Sequence, residues 1–300
     1  MTKLPQAKLA ALAKSRGERR EVIIGKEKTV YWFYPASAKK SQGSVIFIHG
    51  YRGNHHGLEA IAGAITHLDV YIPDLPGFGE SEAFVAAHSI EHYALWTAGF
   101  IKSLRLKQKP HLLGHSFGSI VVSCYAAGHA EIASLILENP VSAPALKGPK
   151  AATTLVAKAF FALAALLPEK AGDSILKSWP MVRGMSIIMT KSRLGELRKW
   201  IHAQHDENFN DYASRRVALE GYSASISNCV SDYANAFKVP VLALAASRDD
   251  ITSIKQQQEM FALIETRAEL LIFEGVGHLT HYEIPEEIAA AIEKWTASFD

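Results

Sequence analysis

The sequence predicts an α/β protein in which a mostly parallel sheet is flanked by helices and interrupted by one helical insertion. First, short apolar runs typical of strands buried on both faces alternate with segments of helical spacing. Second, this alternation stops near Ser142 and resumes near Val239. Third, polar and glycine-containing turns directly follow several of the strand-like runs. Such an alternation is typical of right-handed crossovers that place successive strands parallel in one sheet.

The length and the net charge of the chain limit the classes of protein to which it can belong. The chain has 300 residues, which fits one large domain or a core with an inserted subdomain. A formal net charge of +2 disfavours nucleic acid as a partner, because phosphate binding needs a concentrated excess of Lys and Arg. Cys124 and Cys229 stand in no metal-binding spacing, so we expect two free thiols in a reducing cytoplasm.

The chain begins with a basic segment that lacks the pattern of a secretory leader. We expect it to be a frayed surface helix or arm. A hairpin follows, whose strands carry β-branched and aromatic residues on either side of a GKEK turn. The predicted strands are Val22–Ile24, Thr29–Tyr34, Ser44–His49, Asp69–Pro73, Pro110–Leu113 and Ser134–Glu138. The predicted helices are His55–Thr66, Ile90–Ser103 and Phe117–Gly128.

The stretch from about Ser142 to Phe237 has no run typical of a buried strand. We therefore assign residues 1–142 and 236–300 to the core and residues 143–235 to a helical lid insertion. Within it, Ala151–Pro168 is apolar, but Lys158 interrupts it, and a bilayer span needs about 20 apolar residues. We expect this segment to be a helix buried in protein or lining an apolar cavity, and we expect no integral membrane segment.

The alternation of strands and helices resumes after the insertion. The predicted elements are a strand over Val239–Ala245, a helix over Ile254–Ile264, a strand over Glu269–Phe273 and a helix over Pro285–Phe299. The sequence therefore predicts that the two ends of the chain complete one sheet.

A G-x-S-x-G motif spans Gly114–Gly118, between a strand and a helix. A side chain at such a sharp turn stands clear of the sheet, and glycines on both sides accommodate the strained backbone. The following helix N-terminus offers free N–H groups to a developing negative charge. Ser116 is therefore the candidate nucleophile.

Serine is a poor nucleophile at neutral pH and needs a base and an acid that orients the base. Two later loops, each just past a strand, supply candidates: Ser247–Asp250 and Gly275–His278. Ligands bind at this edge of open α/β sheets. We expect both loops to approach Ser116.

These motifs together resemble the α/β-hydrolase superfamily, in its single-lid branch of esterases, lipases and C–C hydrolases. The resemblance covers most of the chain outside the insertion. The matching segments are His49–Tyr51 (the HGx loop), Asp74–Ser81 (the D-x-x-G-x-G-x-S turn), Gly114–Gly118, VPVLALAASRDDIT and EGVGHLTHYEIPEEI.

The resemblance implies a fold with an eight-stranded sheet and the order nucleophile, acid, base along the chain. It implies Asp249 as the acid, His278 as the base, and the backbone N–H groups of Tyr51 and Phe117 as the oxyanion hole. The acid segment lacks the usual glycine, having Ala246-Ser247 instead, so Asp250 and Glu138 stay open as alternative acids.

Other positions carry smaller expectations. Ser119 stands where the family usually has glycine, which predicts slightly looser packing between helix and strand. We expect His281 at the rim of the site or in a structural role. His55 and His56 have no third ligand at a suitable spacing, so we expect surface residues at a helix start and no metal site there.

The resemblance implies a serine hydrolase that cleaves a carboxylic ester of a small, largely apolar molecule, with no cofactor and no metal. A C–C bond hydrolase or thioesterase is the first alternative, and a very slow receptor that keeps the triad is the second. A basic insertion counts against a peptidase that recognises a substrate amine. The sequence predicts a cytoplasmic protein and does not specify its oligomeric state.

Overall fold

A computed structural model describes residues 4–129, 131–144 and 151–299. The strands are β1 (Glu18–Ile24), β2 (Glu27–Tyr34), β3 (Ser44–Ile48), β4 (Asp69–Pro73), β5 (His111–His115), β6 (Ser134–Glu138), β7 (Val241–Ala246) and β8 (Ala268–Phe273). The helices are α1 (Pro5–Arg16), α2 (Glu59–Ala64), α3 (Ile90–Ser103), α4 (Phe117–Gly128), α5 (Ala151–Leu166), α6 (Glu169–Leu176), α7 (Trp179–Met189), α8 (Gly195–Asn208), α9 (Arg215–Ser227), α10 (Ile254–Phe261), α11 (Thr280–Glu283) and α12 (Pro285–Thr296).

The strands form one eight-stranded sheet in the order β1-β2-β4-β3-β5-β6-β7-β8. β2 pairs antiparallel with both β1 and β4, and every pairing from β4 to β8 is parallel. The expected α/β-hydrolase architecture, a mostly parallel sheet between helices, is therefore confirmed. The parallel strands place the ends of β5, β6, β7 and β8 along one edge of the sheet.

Two apolar cores cover the two faces of the sheet. Side chains alternate between faces along a strand, so Ile46 and Ile48 of β3 pack toward α3 and α4, whereas Val45 and Phe47 pack toward α2 and α12. All four side chains are fully buried. Burial on both faces explains why these strands are continuous apolar runs in the sequence.

The N-terminal segment forms a surface helix, α1, as expected, but it packs on the protein, so the expectation that it is frayed was wrong. Ala10 and Ala13 are buried against α2. Arg16 donates a hydrogen bond to the Ile65 carbonyl at 2.9 Å and another to the Ala62 carbonyl. The backbones of the two helices approach closely at Gly63, where a Cβ atom would lie 2.0 Å from the Leu9 carbonyl oxygen.

Helices α5–α9 lie between β6 and β7 in the chain and contact the loop after β3. Phe161 of α5 is buried, as we expected for this apolar helix. Leu155, Val156 and Leu166 are 62%, 71% and 85% exposed, so α5 is only partly buried, and the expectation of a helix buried in protein was wrong in this respect. No helix in the described ranges is long and apolar enough to cross a membrane.

Candidate active site

Ser116 lies in the sharp turn between β5 and α4. Its backbone has φ 52° and ψ −117°, a conformation that a non-glycine residue rarely adopts. The turn needs glycine on both sides. A Cβ atom at Gly114 would lie 2.4 Å from the Gly118 carbonyl oxygen, and one at Gly118 would lie 2.2 Å from the Ile48 carbonyl oxygen. Close backbone approach is thus what the two glycines of the motif allow.

Ser119 does not loosen this packing, contrary to our expectation. Its side chain is fully buried, donates a hydrogen bond to the Ser116 carbonyl and accepts one from the Val141 amide at 3.2 Å. The hydroxyl therefore ties the first turn of α4 to the segment that follows β6.

A chain of hydrogen bonds joins three residues from the ends of three strands. His278 Nε2 lies 2.8 Å from Ser116 Oγ, and His278 Nδ1 lies 2.8 Å from Asp249 Oδ2. A neutral imidazole with its proton on Nδ1 donates to the Asp249 carboxylate and accepts the Ser116 proton at Nε2. This is the arrangement that general-base activation of a serine requires.

The carboxylate of Asp249 is held in place by its own loop. Its Oδ1 accepts hydrogen bonds from the amides of Ile251 at 2.6 Å and Thr252 at 3.4 Å, and its side chain is fully buried. Asp250 instead forms an ion pair with Lys191 of the insertion. The structure thus brings Asp249, of the two adjacent aspartates, to the base.

The electrostatic surroundings favour a protonated His278. Burial disfavours the charged imidazole, but the carboxylate of Asp249, its hydrogen bond and the nearby Glu138 outweigh burial and raise the pKa of His278 above its ordinary value. The site therefore stabilises the imidazolium that forms when His278 takes a proton.

Glu138 is the last residue of β6 and is fully buried. It faces His115, His281 and the Thr280 hydroxyl, which donates to Glu138 Oε1. Burial alone would raise its pKa, yet the two imidazoles hold the pKa of Glu138 well below its ordinary value. Glu138 thus lies beside the Ser116–His278–Asp249 chain, with other partners.

The backbone amides of Tyr51 and Phe117 are the expected oxyanion hole. The Phe117 amide begins α4, and the Tyr51 amide lies in the loop after β3. Within the described ranges, neither amide donates to a protein acceptor. A Cβ atom at Gly50 would lie 3.3 Å from Ser116 Cβ, which shows how closely this loop approaches the serine. Free N–H groups at a helix start favour an oxyanion.

Arg52 is a residue whose role the sequence reasoning missed. It follows Tyr51, has φ 62° and is fully buried. Its guanidinium donates to the Leu176 carbonyl at 2.9 Å, to the Phe209 carbonyl at 3.3 Å and to the side chain of Asn210. The loop that carries Tyr51 is therefore tied to the inserted helices.

Aromatic side chains from the insertion pack against the same loop. The Tyr51 ring contacts Phe161 and Tyr222, whose own rings stack with centroids 3.8 Å apart. Tyr51 also contacts Phe117, and its hydroxyl donates to the Ala218 carbonyl at 2.6 Å. The side of the site beneath the inserted helices is thus mainly apolar and aromatic.

His55 is not the surface residue that we expected. It is 3% exposed and stacks on Trp32, with ring centroids 3.2 Å apart. Its Nδ1 lies 3.0 Å from Asp74 Oδ1, and its backbone amide donates to the same oxygen at 2.8 Å. Nothing in the local sequence shows that Asp74 and Trp32 enclose this side chain, so the local pattern was misleading.

Most of the chain matches one protein-family model. Residues 45–291 match the model of the alpha/beta hydrolase family, and the chain therefore belongs to that family. Family membership supports a hydrolase. No curated protein sequence matches the chain.

Solved structures with similar folds include a thermophilic esterase from Thermogutta terrifontis, at 20% identity, with 94% of this chain and 99% of that chain covered and a TM-score of 0.73. An esterase from Exiguobacterium antarcticum shares 19% identity over 91% of this chain and 97% of that chain, with a TM-score of 0.72. An enol-lactonase from Burkholderia xenovorans shares 18% identity over 93% of this chain and 99% of that chain, with a TM-score of 0.71. At these identities the similarity shows the fold.

Proposed function

We propose that this protein is a serine hydrolase that cleaves a carboxylic ester of a small, largely apolar molecule through an acyl-enzyme. The observation that carries the proposal is the hydrogen-bond chain from Ser116 through His278 to Asp249. The esterases among the structures of similar fold add support.

In the proposed first step, His278 Nε2 takes the Ser116 proton while Ser116 Oγ attacks the ester carbonyl. The amides of Tyr51 and Phe117 hold the tetrahedral oxyanion. His278 then gives the proton to the leaving alcohol. Water, deprotonated by His278, attacks the acyl-enzyme and releases the acid along the reverse path, while Asp249 keeps the imidazole oriented and stabilises its charged form.

We further propose that residues 143–235 act as a lid that sets the choice of substrate. Phe161 and Tyr222 pack on Tyr51, whose amide is a proposed oxyanion donor. Burying an apolar acyl group against such rings is favourable by about 25 cal/mol per Å² of apolar surface. The aromatic lining therefore favours an aliphatic or aromatic acyl group.

A panel of p-nitrophenyl esters of increasing acyl length tests the proposal. We expect multiple turnovers by the wild type and loss of activity on the order of 10³-fold or more for Ser116→Ala. Ser123→Ala is the matched control, because Ser123 is buried in the same helix and its hydroxyl has no partner in the described ranges. Full activity of Ser116→Ala would overturn the mechanism.

The same panel, extended to thioesters and to a vinylogous 1,5-diketone, separates the alternative activities. Faster cleavage of a C–C bond or a thioester than of every ester would replace the proposed substrate class. Covalent labelling of Ser116 by a fluorophosphonate without measurable turnover of any ester would favour a receptor over an enzyme.

A further inference from the structure

A second cluster of ionisable side chains lies beside the candidate active site. His115 is the last residue of β5, Glu138 is the last residue of β6, and the two are direct partners in the parallel register of these strands. His281 comes from α11. All three residues are buried, and one potential ligand atom from each lies within 4.8 Å of the other two.

Three atoms in this cluster lack a well-formed hydrogen bond. Within the described ranges, His115 Nδ1, Glu138 Oε2 and His281 Nδ1 are buried and have no partner in acceptable geometry. His115 Nδ1 lies 3.1 Å from Glu138 Oε2, but the pair is poorly aligned for hydrogen bonding. Buried polar atoms are normally satisfied, and three that converge on one point need an explanation.

We propose that His115, Glu138 and His281 form a binding site for a divalent transition-metal ion, with Zn²⁺ as the best fit. Two imidazole nitrogens and one carboxylate oxygen are a common donor set for zinc. Neighbouring ligand atoms around a tetrahedral zinc lie about 3.3 Å apart, given bond lengths of about 2.0 to 2.1 Å. The observed separation of 3.1 Å between His115 Nδ1 and Glu138 Oε2 is close to this value, and one ligand atom from each of the three residues lies within 4.8 Å of the other two.

Outer hydrogen bonds orient the carboxylate. The Thr280 hydroxyl donates to Glu138 Oε1, which leaves Oε2 as the uncommitted oxygen. Asn139 Nδ2 in turn donates to Thr280 Oγ1 at 2.7 Å and to the His278 carbonyl at 2.8 Å. Partners of this kind fix the direction of ligating carboxylates in metal sites.

A second group in the protein provides a contrast. His55, His56 and Glu59 also bring ligand atoms together. Their atoms are already engaged: His56 Nδ1 with Glu59 Oε2 at 3.1 Å, and His55 Nδ1 with Asp74 at 3.0 Å. Lys14 places a positive charge 3.6 Å from Glu59 Oε2. We therefore assign the metal site to the first cluster only.

The ligands come from three separate segments, so no local spacing in the sequence reveals them. From the sequence we expected a structural or rim position for His281 and no metal. The convergence depends on the register of β5 and β6 and on the turn that follows His278.

Titration of Zn²⁺ into chelator-stripped protein, followed by calorimetry, tests the proposal. We expect one ion per chain, and binding weaker by on the order of 10-fold to 100-fold in Glu138→Gln and in His281→Gln. The control His56→Gln should bind as the wild type does. Ser116→Ala should also bind normally, so that failure of the proposed hydrolysis does not affect the result.

Co²⁺ provides a second readout in the wild type, because its visible absorption reports the number and kind of ligands. We expect a spectrum typical of a four-coordinate nitrogen and oxygen site, which Glu138→Gln abolishes.

Three results would overturn the proposal. The first is the absence of Zn²⁺ binding with a dissociation constant below about 0.1 mM. The second is an equal weakening of Zn²⁺ binding in His56→Gln, and the third is loss of binding in Asp249→Asn but not in His281→Gln. The last result would place the ion on the catalytic residues.

Discussion

Asp249 and His278 lie on the loops that follow β7 and β8, and Asp249 Oδ2 is 2.8 Å from His278 Nδ1. β7 and β8 are parallel neighbours in the sheet, so their carboxyl ends bring the two loops together. Two amides of its own loop hold the other carboxylate oxygen of Asp249. Asp249 is therefore the acid in the proposed mechanism.

We expect Asp249→Asn to lower kcat for ester hydrolysis on the order of 10³- to 10⁴-fold, because an amide no longer holds the proton of His278 on Nδ1. Asp250→Asn should cost far less, since Asp250 pairs with Lys191. Steady-state kinetics on a p-nitrophenyl ester gives the comparison. Near-normal activity in Asp249→Asn together with inactive Glu138→Gln would transfer the role of the acid to Glu138.

Glu138 contributes to the raised pKa of His278. The free enzyme is active when His278 is neutral, so kcat/KM should rise with pH through this pKa. Removing the negative charge in Glu138→Gln should lower the pKa and move the acid limb of the profile to lower pH. The measurement is kcat/KM against pH in the presence of a chelator.

Glu207→Gln is the control for the pH profile, because Glu207 is exposed on the insertion and solvent screens its charge. The same acid limb in wild type and Glu138→Gln would show that Glu138 does not act on His278.

Arg52 ties the Tyr51 loop to the insertion through hydrogen bonds to Leu176, Phe209 and Asn210. Lysine keeps the positive charge but lacks the several N–H donors of the planar guanidinium group. Arg52→Lys therefore leaves some of these buried oxygen acceptors without a hydrogen bond. We expect a loss of about 2 to 3 kcal/mol in the free energy of unfolding and a lower kcat/KM. Urea unfolding and ester kinetics measure the two effects.

Arg183→Lys is the matched substitution, since Arg183 pairs with Asp206 on the partly exposed surface of the insertion. Surface pairs contribute little, so this variant should resemble the wild type. If Arg52→Lys lowered the free energy of unfolding as little as Arg183→Lys, the hydrogen bonds between the Tyr51 loop and the insertion would not contribute to stability.

Three histidines are buried in a neutral form. Burial lowers the pKa of His49 to about 4, of His205 to about 3 and of His281 to about 4. His49 Nε2 accepts the Leu75 amide at 2.9 Å, a bond that protonation would break. The unfolded chain binds more protons between its ordinary histidine pKa near 6.5 and these values, so stability must fall as the pH falls through this window.

We therefore expect the free energy of unfolding in urea to decrease by at least about 2 kcal/mol from pH 7.5 to pH 5. The raised pKa of His278 acts in the opposite direction, since its stabilising effect is lost as the pH rises through that pKa. His205→Gln should reduce the pH dependence by up to one proton. An unfolding free energy that is the same at both pH values would contradict this account.

The sequence predicted the elements that depend on local pattern. Fully buried strands such as β5 and β6 are recognisable as short apolar runs, and the glycines around Ser116 mark the turn because its backbone leaves no room for side chains. The loops with Asp249 and His278 followed from their positions after strands. The sequence left Asp249, Asp250 and Glu138 open as the acid, because all three lie at or just after the ends of strands along the same edge of the sheet.

What the sequence did not predict depends on contacts between distant segments. The burial of His55 depends on Trp32 and Asp74, and the burial of Arg52 depends on carbonyl groups of the insertion. The docking of α1 depends on a close approach to Gly63. A charged or polar residue with such partners looks like a surface residue in the sequence.

Labelling with a fluorophosphonate probe, followed by peptide mass spectrometry, tests whether Ser116 is the nucleophile. We expect one adduct per chain, located on Ser116, absent in Ser116→Ala and retained in Ser123→Ala. Adduct formation on another residue, or an unlabelled Ser116 in protein that hydrolyses esters, would contradict it.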